Sequence, residues 1–261
     1  MTPYRHSVPM ATKLSGDDLL CIFNLLENDK DLRSLCCCCK LFNELIQPRL
    51  FYRIDLTVFK YPEEEKSISF GAFRQLLEHS PYLAHYPREV GIKLGIRGTE
   101  DVPYVLTALT GKNVSVITLT TDRCNWSSAA VKSAVEALFR DTIIPLNINL
   151  SGLPGLSASC LHFTEHAILF ECVIDSAGTQ DLCRTKTITM AGFARCTSLG
   201  LLVSNDLPCL THLMLWWDEP SGEPVEWYAE LGTALSNLPK LVLLTVQYWG
   251  KNTDSSSCLS T

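Results

Sequence analysis

The chain has 261 residues, with 22 Lys and Arg against 28 Asp and Glu, a formal charge of −6. Apolar residues make up 46%, too many for a disordered chain, and the acidic balance lacks the basic footprint of a nucleic-acid binder. No apolar stretch reaches the ~18–20 residues of a membrane span, and the N-terminal segment lacks the continuous apolar run of a secretory signal.

Residues 1–13 read as a flexible leader with Pro3 and Pro9. From residue 14 the pattern becomes helical. Leu19, Leu20, Ile22, Phe23 and Leu26 recur at helical spacing behind Ser15, a cap, with Asp17 and Asp18 in the first turn, where negative charge suits the helix dipole. Asn28-Asp29-Lys30 reads as a turn. Asp31 then caps a second run carrying Leu32, Leu35 and Cys39. A third run holds Phe42, Leu45 and Ile46 and is expected to stop before Pro48, because the residue preceding proline disfavours the helical region. Three short helices in so few residues bury little surface, so this module needs a neighbour.

The twelve cysteines include four in a row, Cys36 to Cys39. Adjacent cysteines do not readily meet disulfide geometry, and the pattern reads as small buried side chains in a reducing compartment. The expected location is cytoplasmic or nuclear. Cys36 and Cys39 formally make C-x-x-C, read here as packing.

Leu14-Ser15-Gly16-Asp17, Ile22-Phe23, Leu26, Asp31-Leu32, Leu35 and Cys38-Cys39-Lys40-Leu41-Phe42 together resemble an F-box motif, in the style of large fungal F-box families. The chain departs from the usual form at Ser15, where the family has proline, and at Asp18, where it has an apolar residue. The resemblance implies a small three-helix F-box over residues 14–60 and a substrate-recognition subunit of a cullin–RING ubiquitin ligase. In that reading Leu14, Ser15, Ile22, Phe23, Leu26, Leu32, Leu35 and Phe42 either face a Skp-type adaptor or pack the module. A small helical cap over a larger core is the competing account of these residues.

The stretch 61–66, Tyr-Pro-Glu-Glu-Glu-Lys, is a charged break. Beyond it, residues 61–250 alternate strand-like and helix-like runs. Leu207-Pro208-Cys209-Leu210-Thr211-His212-Leu213-Met214-Leu215 repeats 31 residues later as Leu238-Pro239-Lys240-Leu241-Val242-Leu243-Leu244-Thr245-Val246. This is the leucine spacing of a leucine-rich repeat. Earlier inward-pointing pairs are Ile92 with Leu94, Ile117 with Leu119, Leu146 with Ile148, and Ile168 with Phe170. Helices are expected over Phe70 to His79, Tyr104 to Leu109, Ser127 to Arg140 and Val225 to Leu238. Thr187 to Met190 and Leu199 to Leu202 read as strands. The expected class is α/β: an irregular leucine-rich-repeat-like solenoid of short strands and helices. A compact α/β domain with a parallel sheet shares this local pattern; the pair at 207 and 238 favours the repeat. The serine-rich end, 251–261, reads as a disordered tail.

Little chemistry is encoded. Phosphate-binding glycine motifs are absent. Gly155-Leu156-Ser157-Ala158-Ser159 lacks the last glycine of a nucleophile elbow. Cys160, His162, Glu165 and His166 cluster in sequence without a second paired spacing to complete a metal site. No catalytic residue, cofactor or metal is expected, and the chain is read as a non-enzyme.

Trp216, Trp217, Tyr248 and Trp249 form one aromatic cluster. Trp217 aligns with Tyr248 across the repeat, and on adjacent strands the two would lie about 5 Å apart. The period of two in a strand turns the neighbours of inward residues outward. Lys93, Thr118, Asn147, Met214 and Thr245, with Trp216 as an aromatic anchor, are therefore the expected site for an unknown target protein. A non-ligase repeat scaffold with a degenerate F-box is the alternative.

Overall fold

A computed structural model describes residues 14–26, 28–58, 67–95, 99–121, 128–142, 146–153, 155–161, 164–172, 174–175, 185–191, 207–218, 232–233 and 235–249. The leader 1–13, the tail 251–261, the break 61–66 and the strand expected at Leu199 to Leu202 lie outside the described residues, as does most of the helix expected over Val225 to Leu238. The chain forms two compact units, Met1–Arg53 and Ile54–Thr261.

The first unit is helical: α1 (Gly16–Asn24), α2 (Asp29–Cys36) and α3 (Lys40–Leu50). Ser15 begins α1 with a reciprocal cap. Its hydroxyl accepts from the Asp18 N–H at 3.1 Å, and the Asp18 carboxylate accepts from the Ser15 N–H at 3.0 Å. Asp18, unusual for the family form, thus has a local role. The cap of α2 is Asn28, whose side chain accepts from the Lys30 N–H at 2.9 Å, rather than Asp31. The helix starts three residues earlier than its apolar spacing suggests, because the cap and not the first leucine sets the start.

Leu19, Phe23, Leu32 and Ile46 form the core of this unit, with Leu26, Leu35, Cys36, Phe42, Leu45 and Leu50 packed around it. Phe23 and Phe42 meet edge to face, centroids 5.1 Å apart. Contrary to expectation, α3 runs through Pro48. The proline lies in the final turn, where Phe51 N–H still reaches the Gln47 carbonyl at 3.0 Å, and its helix places Ile46 and Leu50 on the core. Cys39 also departs from expectation. It is the exposed N-cap residue of α3, because residues 37–39 form the turn between helices and the helical i, i+3 spacing does not run through them. Cys36 alone of the four packs on the core, and that burial raises its thiol pKa, with Cys37 adding to the effect.

The second unit is α/β. Its strands are β1 (Arg53–Thr57), β2 (Ile68–Ser69), β3 (Glu89–Leu94), β4 (Val116–Thr121), β5 (Leu146–Ser151), β6 (Leu156–Ser157), β7 (Thr164–Phe170), β8 (Ile174–Asp175), β9 (Thr187–Ala191), β10 (His212–Asp218) and β11 (Leu243–Trp249). Helices α4 (Phe70–His79), α5 (Val102–Leu109) and α6 (Ala129–Arg140) fall between early strands. Ser69 and Ser128 cap α4 and α6 through their hydroxyls. β1 already belongs to the sheet, so the helical unit ends at Arg53, ahead of the charged break.

Nine strands form one open parallel sheet in the order β11-β10-β9-β7-β5-β4-β3-β1-β2, while β6 and β8 make a separate pair. From β3 onward, strand order follows chain order. Alternate residues are buried: Ile92, Leu94, Ile117, Leu119, Leu146, Ile148, Leu150, Ile188, Met190, Leu213 and Leu215. They share the core with Val105, Leu106 and Leu109 of α5 and Val131, Val135 and Leu138 of α6.

β7 breaks the expected phase. Its buried residues are Ala167 and Leu169, whereas Ile168 and Phe170 are 46% and 36% exposed. The register with β5 explains this. Leu146 pairs with Thr164 but Asn147 pairs with His166, so Glu165 is an extra residue. A bulge of this kind reverses the alternation beyond it. Thr164 is buried, and unbroken alternation from it would have carried His166, Ile168 and Phe170 inward.

Candidate binding surfaces

In the helical unit, the residues expected to dock an adaptor separate into two groups. Phe23 and Leu32 are core, and Leu26, Leu35 and Phe42 pack against it. Leu14, Ser15 and Ile22 are exposed. Three further apolar residues, not among those expected to dock, are also exposed: Leu20, Leu25 and Leu41, with Leu25 at 81%. Arg49, in the last turn of α3, donates to the carbonyls of Phe23 and Leu26. These carbonyls lie at the C-terminal end of α1, where the Phe23 carbonyl also accepts from the Leu26 N–H at 3.1 Å and a cation is favoured by the helix dipole.

In the sheet unit, parallel register gathers outward residues into rows. Gly91 pairs with Thr118, Thr118 with Asn149, Asn149 with Ile168, Ile168 with Thr189, Thr189 with Met214 and Met214 with Thr245. Asp55 lies against Gly91, so close that a Cβ there would stand 2.3 Å from Asp55 Oδ1. Glycine is what lets β1 and β3 carry this carboxylate between them. One flanking row runs Lys93, Thr120, Ser151, Phe170, Ala191, Trp216, Gln247. The other runs Glu89, Val116, Asn147, His166, Thr187, His212, Leu243.

All six residues expected to bind a target therefore occupy one face. Thr118, Met214 and Thr245 share the central row, Lys93 and Trp216 one flank, and Asn147 the other. Lys93 and Asn147 are exposed, and the remaining four are half-buried. Trp216 keeps its indole nitrogen buried. Trp217 and Tyr248 stand opposite each other in register. The face also holds Asn149, Ile168 and Phe170, which the sequence did not single out as outward. Asn149 was recoverable from its distance of two residues from Asn147; the other two were hidden by the bulge.

At the rim of this face Lys186 Nζ and Glu165 Oε1 lie 2.6 Å apart. Their hydrogen bond, reinforced by charge attraction, holds the Glu165 carboxyl below its ordinary range and the Lys186 ammonium above it. Cys160 is buried, His166 lies exposed on the sheet face, and His162 is outside the described residues. Among the described residues, no group of three or more His, Cys, Asp or Glu could hold a metal ion. Among them, too, no helix is long and apolar enough to cross a membrane. No protein-family model matches the chain, and no curated protein matches it significantly.

Proposed function

We propose that the chain is a substrate-recognition subunit of a cullin–RING ubiquitin ligase. In this reading α1–α3 are an F-box that docks on a Skp-type adaptor. The sheet unit is a leucine-rich-repeat-like array whose outward face holds a target protein. Ubiquitin transfer belongs to the cullin–RING partner, so the chain itself is not an enzyme and carries no cofactor.

One observation carries the reading. A unit of three short helices completes its own core yet leaves Leu14, Leu20, Ile22, Leu25 and Leu41 in solvent. Five exposed apolar side chains on a unit this small favour a role in protein interaction. The repeat reading draws support from the chain-order stacking of β3, β4, β5, β7, β9, β10 and β11, and from the matched register of the two leucine-spaced copies at β10 and β11.

The test is co-purification of the full-length chain with the adaptor at micromolar concentration, for the native chain and for Ile22→Lys with Leu25→Lys. The native chain is expected to bind and the double variant to lose binding without unfolding. Failure of the native chain to bind overturns the ligase reading and leaves the non-ligase repeat scaffold.

A further inference from the structure

The outward face of the sheet has a chemical character that restricts what it can hold. Purely parallel sheets are ordinarily covered on both faces. Here Asn147, Asn149, His166, Ile168, Phe170 and His212 are exposed, and Thr118, Thr189 and Met214 are half-buried. Across β4, β5, β7, β9 and β10, the three described rows contain no Asp, Glu, Lys or Arg. Their charged members, Glu89 and Lys93, sit on β3, with Asp55 beside them on β1. In a chain with 22 basic and 28 acidic residues, this is a broad surface left without formal charge.

The face is also divided. Hydroxyls and amides occupy β4 and β5, where Thr118, Asn147 and Asn149 each present both hydrogen-bond donors and acceptors. Apolar side chains enter at β7, with the exposed Ile168 and Phe170, and again at β10 with the half-buried Met214, while Thr187 and Thr189 of β9 lie between them. Ile168 adjoins Asn149 in register, so the polar and apolar halves meet at that pair.

We propose that this face selects an uncharged segment of its protein partner. An aliphatic or aromatic side chain of that segment seats on Ile168, Phe170 and Met214, and its main-chain amides meet Asn147, Asn149 and Thr118. A charged segment buried over β5 and β7 would lose hydration and meet no formal charge in the three rows of those strands, the nearby Glu165 being already paired with Lys186. A neutral one buries apolar surface and exchanges water for amide hydrogen bonds. The inference rests on the proposed target-binding role of this face and adds the chemistry of what binds.

The test uses the purified full-length chain and a displayed library of random peptides of about a dozen residues, the size of an extended recognition segment. The enriched peptides are expected to carry a large apolar residue and to be depleted in Asp, Glu, Lys and Arg. Their affinity is expected to change less than about twofold between roughly 50 mM and 500 mM salt, since screening acts on charge pairs. Phe170→Ser should weaken binding by about tenfold, as the loss of an apolar anchor does. Ile168→Thr, an exposed strand former that keeps the fold, should weaken it in the same direction. Enrichment of acidic or basic peptides, strong salt dependence, indifference to Ile168→Thr, or no enrichment at all would each overturn the proposal. Adaptor co-purification of the same protein separates the two readings. Charged peptides selected by a chain that still binds adaptor overturn this inference alone, and neutral peptides selected by a chain that does not bind adaptor overturn the ligase reading alone.

Discussion

The guanidinium of Arg49 is bound to the main-chain carbonyl of Phe23, joining the end of α3 to the end of α1 across 26 residues of sequence. A second N–H reaches the carbonyl of Leu26. Hydrogen bonds from a charged donor contribute about 1.5–3 kcal/mol each. Arg49→Met keeps the apolar stem and removes both. We expect amide exchange across α1 to accelerate by roughly 30-fold or more, with exchange in β3–β5 unchanged.

Phe23 and Ile22 are neighbours in sequence with opposite roles. Phe23 is 4% exposed and Ile22 is 44% exposed. Phe23→Ala removes a core ring and its edge-to-face partner contact with Phe42, a loss of about 3–5 kcal/mol. That is enough to unfold a helical unit of this size, so exchange protection of α1–α3 should collapse. Ile22→Ala should change stability by less than about 0.5 kcal/mol and yet weaken adaptor binding. Calorimetric titration with the adaptor, beside exchange measurements, separates the two. Loss of protection in Ile22→Ala would show that its side chain is structural.

The cap of α1 ties helix stability to pH. Hydrogen bonds from the Ser15 hydroxyl and then its N–H hold the Asp18 carboxyl below its ordinary value of 3.8. A lowered folded-state pKa stabilises above the unfolded value, and the contribution disappears as pH falls through the folded one. Protection in the first turn should therefore be constant at neutral pH and decline below about pH 4. Ser15→Ala should reduce it at neutral pH by an amount that shrinks in acid without vanishing, because the hydroxyl's acceptance from the Asp18 N–H does not depend on the carboxyl's charge. Ser15→Pro has a suitable backbone angle, φ −69°, but sacrifices both halves of the cap, so proline should fray α1 here. An unchanged first turn in Ser15→Pro would contradict this.

Gly152 follows β5 with φ +71°, and a Cβ there would lie 2.7 Å from the Thr121 carbonyl oxygen. Alanine would meet both an unfavourable backbone region and a main-chain atom that cannot move aside. Gly152→Ala should cost more than about 1 kcal/mol and lower the unfolding temperature of the sheet unit. Gly16→Ala, with open space around it, should leave stability nearly unchanged.

Local patterns were enough to find Phe70–His79 as a helix and the inward pairs of β3, β4 and β5. In each, apolar spacing and burial agree over a full element. Sequence reading failed where a distant partner sets the outcome. The bulge at Glu165 depends on how β7 meets β5, so Ile168 and Phe170 were placed inward by their apolar character. Arg49 acts across the fold of the helical unit, at a separation no short motif spans. Pro48 was taken as a stop because its local penalty is legible, whereas the packing of Ile46 and Leu50 that outweighs it is not. The outward face was half legible. The period of two identified Thr118, Asn147 and Met214, but the rows that align them follow from register between strands.

The succession of strands in chain order has a mechanical consequence. Each of β4, β5, β7, β9 and β10 is clamped between the preceding and the following strand of the sheet and by no strand remote in sequence. Tension applied at Leu243–Trp249 therefore loads a single seam at a time, between β11 and β10, before the next seam at β9 feels it. Parallel strands pulled from one end resist in shear along their length or open like a zipper, according to the pulling direction. Drawn sideways from its C-terminal edge, this sheet should yield as a sequence of small ruptures, one strand per step, and a protein-unfolding motor that grips that edge would meet low, repeated barriers instead of one high one.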